Sequence, residues 1–230
     1  MASWQKISEI AGYSFENGIR LHLDSINCYS RESYATAYQL SILAAEELGK
    51  AMLLEEYVFR VAVDNTWDNA TKERVLSSAF SDHKLKQRWF AGSANDFLKR
   101  HLSRNASAVI SNIFKGVSEL EKQNSTYVGL TRHKNGKADM NGRIVLPWLF
   151  AQPSKARKHI TLVNDYLLVY AEGFSRDVYA TDTPDVGELL DQELVEILNE
   201  EWKFQGHNAR SIIQQLKKHK VKTNSHSWFE

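Results

Sequence analysis

Proline occurs three times in 230 residues, at 147, 153 and 184. A proline inside a helix removes a backbone hydrogen bond and clashes with the preceding turn. The N-terminal half has no such interruption. Residues 1–122 also lack the strict alternation of a half-buried strand. The segment reads as four helices, over about 4–28, 32–62, 70–91 and 94–122. Ser30 or the Arg31-Glu32-Ser33 segment opens the second, while Asp64, Asn65, Thr66, Asp68 and Asn69 supply a break with capping residues. The third ends near Gly92, and Val109, Ile110, Ile113, Phe114, Val117 and Leu120 form the apolar stripe of the fourth.

The segment 124–150 differs in character. Tyr127-Val128, Asn-Gly pairs at 135–136 and 141–142, and Ile144-Val145-Leu146-Pro147 suggest a short hairpin inserted between helices. Helix resumes after Pro153-Ser154 to about 179, with Ile160, Val163, Leu167, Tyr170 and Phe174 as its buried row. Two shorter helices are expected at about 185–203 and 207–220. The fold class is all-α: an antiparallel helical bundle over 1–180 with the insert at 124–150, and a helical appendage over 181–230.

Bulk properties exclude several classes. The composition, 43% hydrophobic and 25% charged, is that of a globular chain. The formal net charge of +1 gives no overall pull towards nucleic acid or membrane. A single cysteine, Cys28, forms no internal disulfide and fits a reducing compartment. The N-terminus lacks the apolar run of a signal peptide. No stretch approaches the roughly 20 apolar residues of a membrane span, so the expected location is cytoplasmic.

The second helix carries an anomaly. At about 100° per residue, Ala37, Leu40, Ala44, Leu48 and Ala51 share one side, widened by Leu43, Leu54 and Val58. Glu46 falls opposite this arc, where a carboxylate is solvated, but Glu47 falls inside it. An isolated buried charge costs several kcal/mol, so Glu47 needs a partner, a proton or a polar cleft. On the third helix, Val75, Leu76, Ala79, Phe80 and Phe90 mark the apolar face, and His83 sits near its centre. Asp82 and Lys86 lie towards Trp89; Lys84 and Arg88 point away.

Glu47, His83 and Lys86 are therefore expected to meet. They form either a structural ion-pair network between two helices or a site. In the site, His83 is acid, base or phosphate donor, Lys86 binds an anion, and Glu47 orients one of them. Lys50 can pair with Glu46 or Glu47. Gly49, inside a helix, costs about 1 kcal/mol relative to Ala and points to a tight crossing.

No cofactor is expected. Gly49-Lys50 lacks the other residues of a phosphate loop, and neither helical di-iron nor zinc-finger spacing occurs. His101 with Lys99, Arg100 and Arg104 reads as a solvated basic face, and Cys28 as a core or helix-end residue. Arg132, His133 and Lys134, with Lys137 and Arg143, form a candidate RNA-binding patch, as does the basic segment 203–222. The acidic residues over 182–201 suggest mutual packing or a protein partner instead.

The run Ser41-Ile-Leu-Ala-Ala-Glu-Glu-Leu-Gly-Lys50, followed by Asp82-His-Lys-Leu-Lys86, resembles the AbiV family of abortive-infection proteins, within the HEPN superfamily of helical bundles. Tyr127-Val128 and Ile144-Val145-Leu146-Pro147 resemble further elements, and the likeness spans about 35–175. It implies growth arrest or a translation block during phage infection, with the site at Glu47, His83 and Lys86 and support from Glu46, Gly49, Lys50 and Asp82. HEPN relatives are often metal-independent ribonucleases acting as dimers. In them an Arg and a His four to six residues apart promote attack by the ribose 2′-hydroxyl. None of the eight histidines here follows an arginine at that spacing, so either Glu47, His83 and Lys86 replace the pair or nuclease activity is absent. The expected partners are RNA or the translation machinery, a phage-encoded activator and a second copy of the chain, with no membrane. A non-enzymatic inhibitor of a translation component is the alternative; a regulatory partner of a nucleotide-modifying protein is a third reading.

Overall fold

A computed structural model of the chain describes residues 4–61, 67–98, 104–131, 137 and 139–174. Eight helices and one hairpin occur among them: α1 (Trp4–Ser30), α2 (Tyr34–Phe59), α3 (Asn69–Ser81), α4 (His83–Phe97), α5 (Arg104–Phe114), α6 (Val117–Thr126), β1 (Gly129–Leu130), β2 (Ile144–Val145), α7 (Pro147–Phe150) and α8 (Pro153–Phe174). The fold is all-α, as the sequence predicts. The insert is the expected hairpin, with Gly129 opposite Val145 and Leu130 opposite Ile144 in an antiparallel pair. Pro147 and Pro153 open α7 and α8, where a missing N–H breaks no helical bond.

Two predicted helices are each divided. Asp82 ends α3 and, with φ −94° and ψ 96°, caps α4 by accepting from the Leu85 amide at 3.0 Å. α4 then runs past Gly92 to Phe97. Further on, Gly116 at φ +71° separates α5 from α6, a left-handed conformation that glycine adopts freely. The expected helices at 185–203 and 207–220, the appendage as a whole, the segments around 64–66 and 99–101 and the Asn-Gly pair at 135–136 lie outside the described residues.

α2 is the centre of the bundle, in contact with α1, α3, α4, α6, α7 and α8. Its buried positions run nearly all the way round: Ala37, Tyr38, Ser41, Ile42, Ala44, Ala45, Leu48, Ala51, Leu53 and Leu54. A helix enclosed in this way has no solvent face. The main core joins Phe15 of α1, Leu48 of α2, Phe90 of α4, Ile110 of α5 and Tyr166 of α8. The Phe90 and Tyr166 rings meet edge to face at 5.2 Å. Among the described residues, no helix is long and apolar enough to cross a membrane.

Gly49 marks the tightest crossing. A Cβ there would fall 1.9 Å from the Lys86 carbonyl oxygen, so α2 and α4 touch backbone to backbone. Gly49→Ala should therefore destabilise the protein by about 1–3 kcal/mol, overriding the helix propensity gained. Denaturant unfolding checks this; equal or higher stability would show that the helices do not approach so closely.

His159 of α8 is buried behind α2, with Nδ1 2.6 Å from Ser41 Oγ. Burial, with His22 nearby, pushes its pKa down to about 3. An unfolded histidine titrates near its ordinary value of about 6.5, so between about pH 6.5 and 3 the unfolded chain binds the extra proton. Stability from this residue is present above about pH 6.5 and lost as pH falls. Replacing it by glutamine should flatten the acid limb of stability by about 1.4 kcal/mol per pH unit within that window. Parallel acid limbs for both proteins would mean that the buried imidazole gains its proton as readily as in the unfolded chain.

Candidate functional site

The polar cluster forms where α2, α4 and α6 converge, and its centre is Glu46. This carboxylate lies on α2 three residues before Gly49 and is 3% exposed. Its Oε2 is 2.8 Å from Nδ1 of His83. Its Oε1 accepts from Gln87 Nε2 and from Lys122 Nζ, both at 2.7 Å. Charge-assisted bonds of this length offset much of the cost of burying the carboxylate.

Local structure explains each donor. The Asp82 cap fixes where α4 begins, and His83 and Gln87 stand i, i+4 on one face of it. The Gly116 turn starts α6, whose Glu119 and Lys122 stand i, i+3; Lys122 Nζ bridges Glu46 and Glu119, at 2.7 and 2.8 Å. Gln87 Nε2 also reaches Glu119 Oε2 at 3.2 Å, and Gln123 reaches its other oxygen at 3.3 Å. Burial opposes the Lys122 ammonium, but its bonds to Glu119 and Glu46 outweigh this and raise its pKa.

His83 is the member that faces outward, its side chain 52% exposed. The carboxylate accepts from Nδ1, so Nδ1 carries the proton in this pairing, an assignment made from the partner. Nε2 makes no hydrogen bond among the described residues. An imidazole oriented by a carboxylate, with its second nitrogen open, has the layout of a general base.

The sequence-predicted trio is redistributed. Glu46, expected in solvent, is the buried carboxylate, because the side of α2 opposite its apolar arc is covered by α4 and α6. Glu47 is partly exposed: its Oε2 accepts from Asn17 at 3.2 Å and lies 3.8 Å from Lys50. His83 bonds to Glu46, not Glu47, and as the first residue of α4 it is exposed at the rim rather than central to an apolar face. Lys86 is 5% exposed and turned inward as expected, yet among the described residues its ammonium makes no hydrogen bond or ion pair with Glu47 or His83. Lys84 and Arg88 are exposed, as predicted.

Lys50 pairs with Glu47 and lies 5.4 Å from the centre of the Phe80 ring. Asp82 acts as a helix cap, and Gly49 makes the crossing. Arg132, His133 and Lys134 lie outside the described residues. Cys28 is a free, partly exposed residue near the end of α1. Gln87, Glu119 and Lys122 were not singled out by the sequence reading. The signal for them was the i, i+3 pair of Glu119 and Lys122 after a helix-breaking Gly116, together with Gln87 one turn beyond His83.

A family model described as AbiV, of the HEPN group, matches residues 6–167. The chain belongs to the AbiV family. The match covers α1 to most of α8, so it includes every element that contributes to the cluster. Membership implies an abortive-infection, HEPN-type function. No curated protein and no solved structure matches the chain.

Removing one partner from a buried ion pair leaves an uncompensated charge, at a cost of about 3–5 kcal/mol. Lys122→Met should show a loss of this size by denaturant unfolding, and Lys122→Met combined with Glu46→Leu should recover part of it. Independent, additive effects of the two changes would mean that the bridge contributes nothing.

Proposed function

We propose that this AbiV protein arrests translation, and with it growth, in phage-infected cells by cutting RNA without a metal ion, using the Glu46–His83 pair. The observation that carries the reading is the half-exposed His83 imidazole, anchored through Nδ1 on a buried carboxylate and open at Nε2. In this reading Nε2 takes the proton of a ribose 2′-hydroxyl. The hydroxyl oxygen attacks the adjacent phosphorus, and the 5′-oxygen departs with a proton from solvent, leaving a 2′,3′-cyclic phosphate. Glu46 orients the ring and offsets the charge it gains. In this reading Lys84 and Arg88, both exposed on α4, would hold phosphate oxygens.

In this reading the RNA-binding patch is Arg132, His133 and Lys134, with Lys137 and Arg143, the last two exposed. A second copy of the chain and a phage-encoded activator are the partners that this function calls for. They would join the active dimer and release its activity only on infection.

A second reading, a non-enzymatic inhibitor that binds the translation machinery, is favoured by one surface. Tyr127, Val128, Ile144, Trp148 and Leu149 of the insert are each more than 60% exposed, an apolar group suited to a protein partner. There the Glu46 cluster is only an ion-pair network.

The two readings separate on His83→Ala, a substitution at an exposed position that should leave the fold intact. With chelator present, wild-type protein should cut tRNA or total RNA. The variant should be slower by roughly 10²–10⁴-fold, as expected for loss of a general base, and should lose its growth arrest. Growth arrest retained by a folded His83→Ala, with no RNA cut by the wild type, would establish the binding reading instead.

A further inference from the structure

The hairpin of the insert is covered on one side only. Leu130 stands opposite Ile144 and Gly129 opposite Val145, and successive residues of a strand face opposite ways. Val145 turns into the protein at 8% exposure, whereas Ile144 on the other side is 71% exposed. Val128, just before β1, and Trp148 and Leu149 of α7, just after β2, are each more than 60% exposed as well. A two-stranded hairpin is marginal by itself, and an apolar group of this extent marks a docking surface.

The charge around this surface selects what can cover it. Lys137 and Arg143 of the hairpin, and Arg157 and Lys158 in the first two turns of α8, are exposed. Asp139, the single acidic residue between positions 137 and 158, accepts from the Asn141 amide at 3.0 Å. A second copy docked through the same surface would set basic residues against basic residues, a like-charge contact that opposes binding. The chain itself carries the complement. Between positions 182 and 201 its sequence has eight acidic residues and no lysine or arginine, which is the charge that this rim calls for. Within that segment Val186, Leu190, Leu194, Ile197 and Leu198 recur at helical spacing. The basic segment that follows, 203–222, has the wrong sign for this surface.

We infer that residues 185–203 of this chain dock on the outer side of the hairpin and α7. Their apolar positions pack on Val128, Ile144, Trp148 and Leu149, and their carboxylates lie beside Lys137 and Arg143. The insert precedes α8 and so lies at its amino-terminal end, while Phe174 stands about 33 Å away along this 22-residue helix. A helix over 185–203 returns about 28 Å of that distance, and residues 175–184 span up to roughly 33 Å when extended. Attachment to the same chain gives the segment a high effective concentration at the surface, so a modest apolar contact suffices. The docked segment takes the place that the second reading gives to an outside protein. It stands whether or not the Glu46–His83 pair cuts RNA.

Carbodiimide cross-linking, which joins a lysine amine directly to a carboxylate, tests the inference on an equal mixture of unlabelled and 15N-labelled protein of all 230 residues. Links should join Lys137 or Lys158 to the acidic residues of 185–203, with both linked peptides from one chain. Ile144→Ser with Trp148→Ser, at exposed positions, should cut the yield of these links roughly fivefold or more with the melting midpoint unchanged. Leu190→Ser with Leu194→Ser, on the segment itself, should cut it as far while leaving the hairpin sequence intact. The inference fails if these links are absent, if they join only labelled to unlabelled chains, or if the Leu190→Ser, Leu194→Ser protein links as well as the wild type.

Discussion

The backbone contact between Gly49 of α2 and the Lys86 carbonyl of α4 sets the geometry on which the cluster depends. With no side chain between them, the helices lie close enough for Glu46, one turn earlier on α2, to reach both His83 and Gln87. A wider crossing would pull the carboxylate away from His83 and Gln87, two of its three donors, which stand on the facing helix. The i, i+4 spacing of His83 and Gln87 delivers two donors from one face of α4, and α6 supplies the third through Lys122. A glycine that weakens α2 by propensity alone thus sets the approach that lets Glu46 reach its partners on α4.

Burial of Glu46 also explains how an interior ion pair can have an outward-facing member. Gln87 and Lys122 hold one carboxylate oxygen from inside the bundle, and the other points to the rim, where His83 begins α4. The imidazole keeps solvent access at one nitrogen and rigid support at the other. This asymmetry separates His83 from the buried His159, enclosed behind α2.

The helical class, the insert hairpin and the close crossing at Gly49 were all legible in the sequence, since each rests on local rules: few prolines, turn residues between short apolar runs, and a glycine where a helix otherwise favours alanine. The choice between Glu46 and Glu47 was not. A helical wheel assumes one wet face, and α2 has none, so the carboxylate placed opposite the apolar arc became the deeply buried one. The division of α3 from α4 was hidden because Ser81, Asp82 and His83 include neither glycine nor proline; only the capping preference of Asp82 marked it. Lys122 and Glu119 carried only a local signal, their i, i+3 spacing after Gly116, which does not say what they meet. Their role depends on how the chain turns at Gly116 and returns to α2, which is a property of tertiary packing.

The division at Asp82 has a bearing on how the family can vary. In one continuous helix, each residue gained or lost upstream would swing His83 by about 100° and carry it off Glu46. Because a side-chain cap restarts the helix at Asp82, the phase of α4 is set there and is blind to the length of α3. The stretch before the cap is free to lengthen, shorten or change its surface, and so to acquire new contacts, while the imidazole keeps its bearing on the carboxylate.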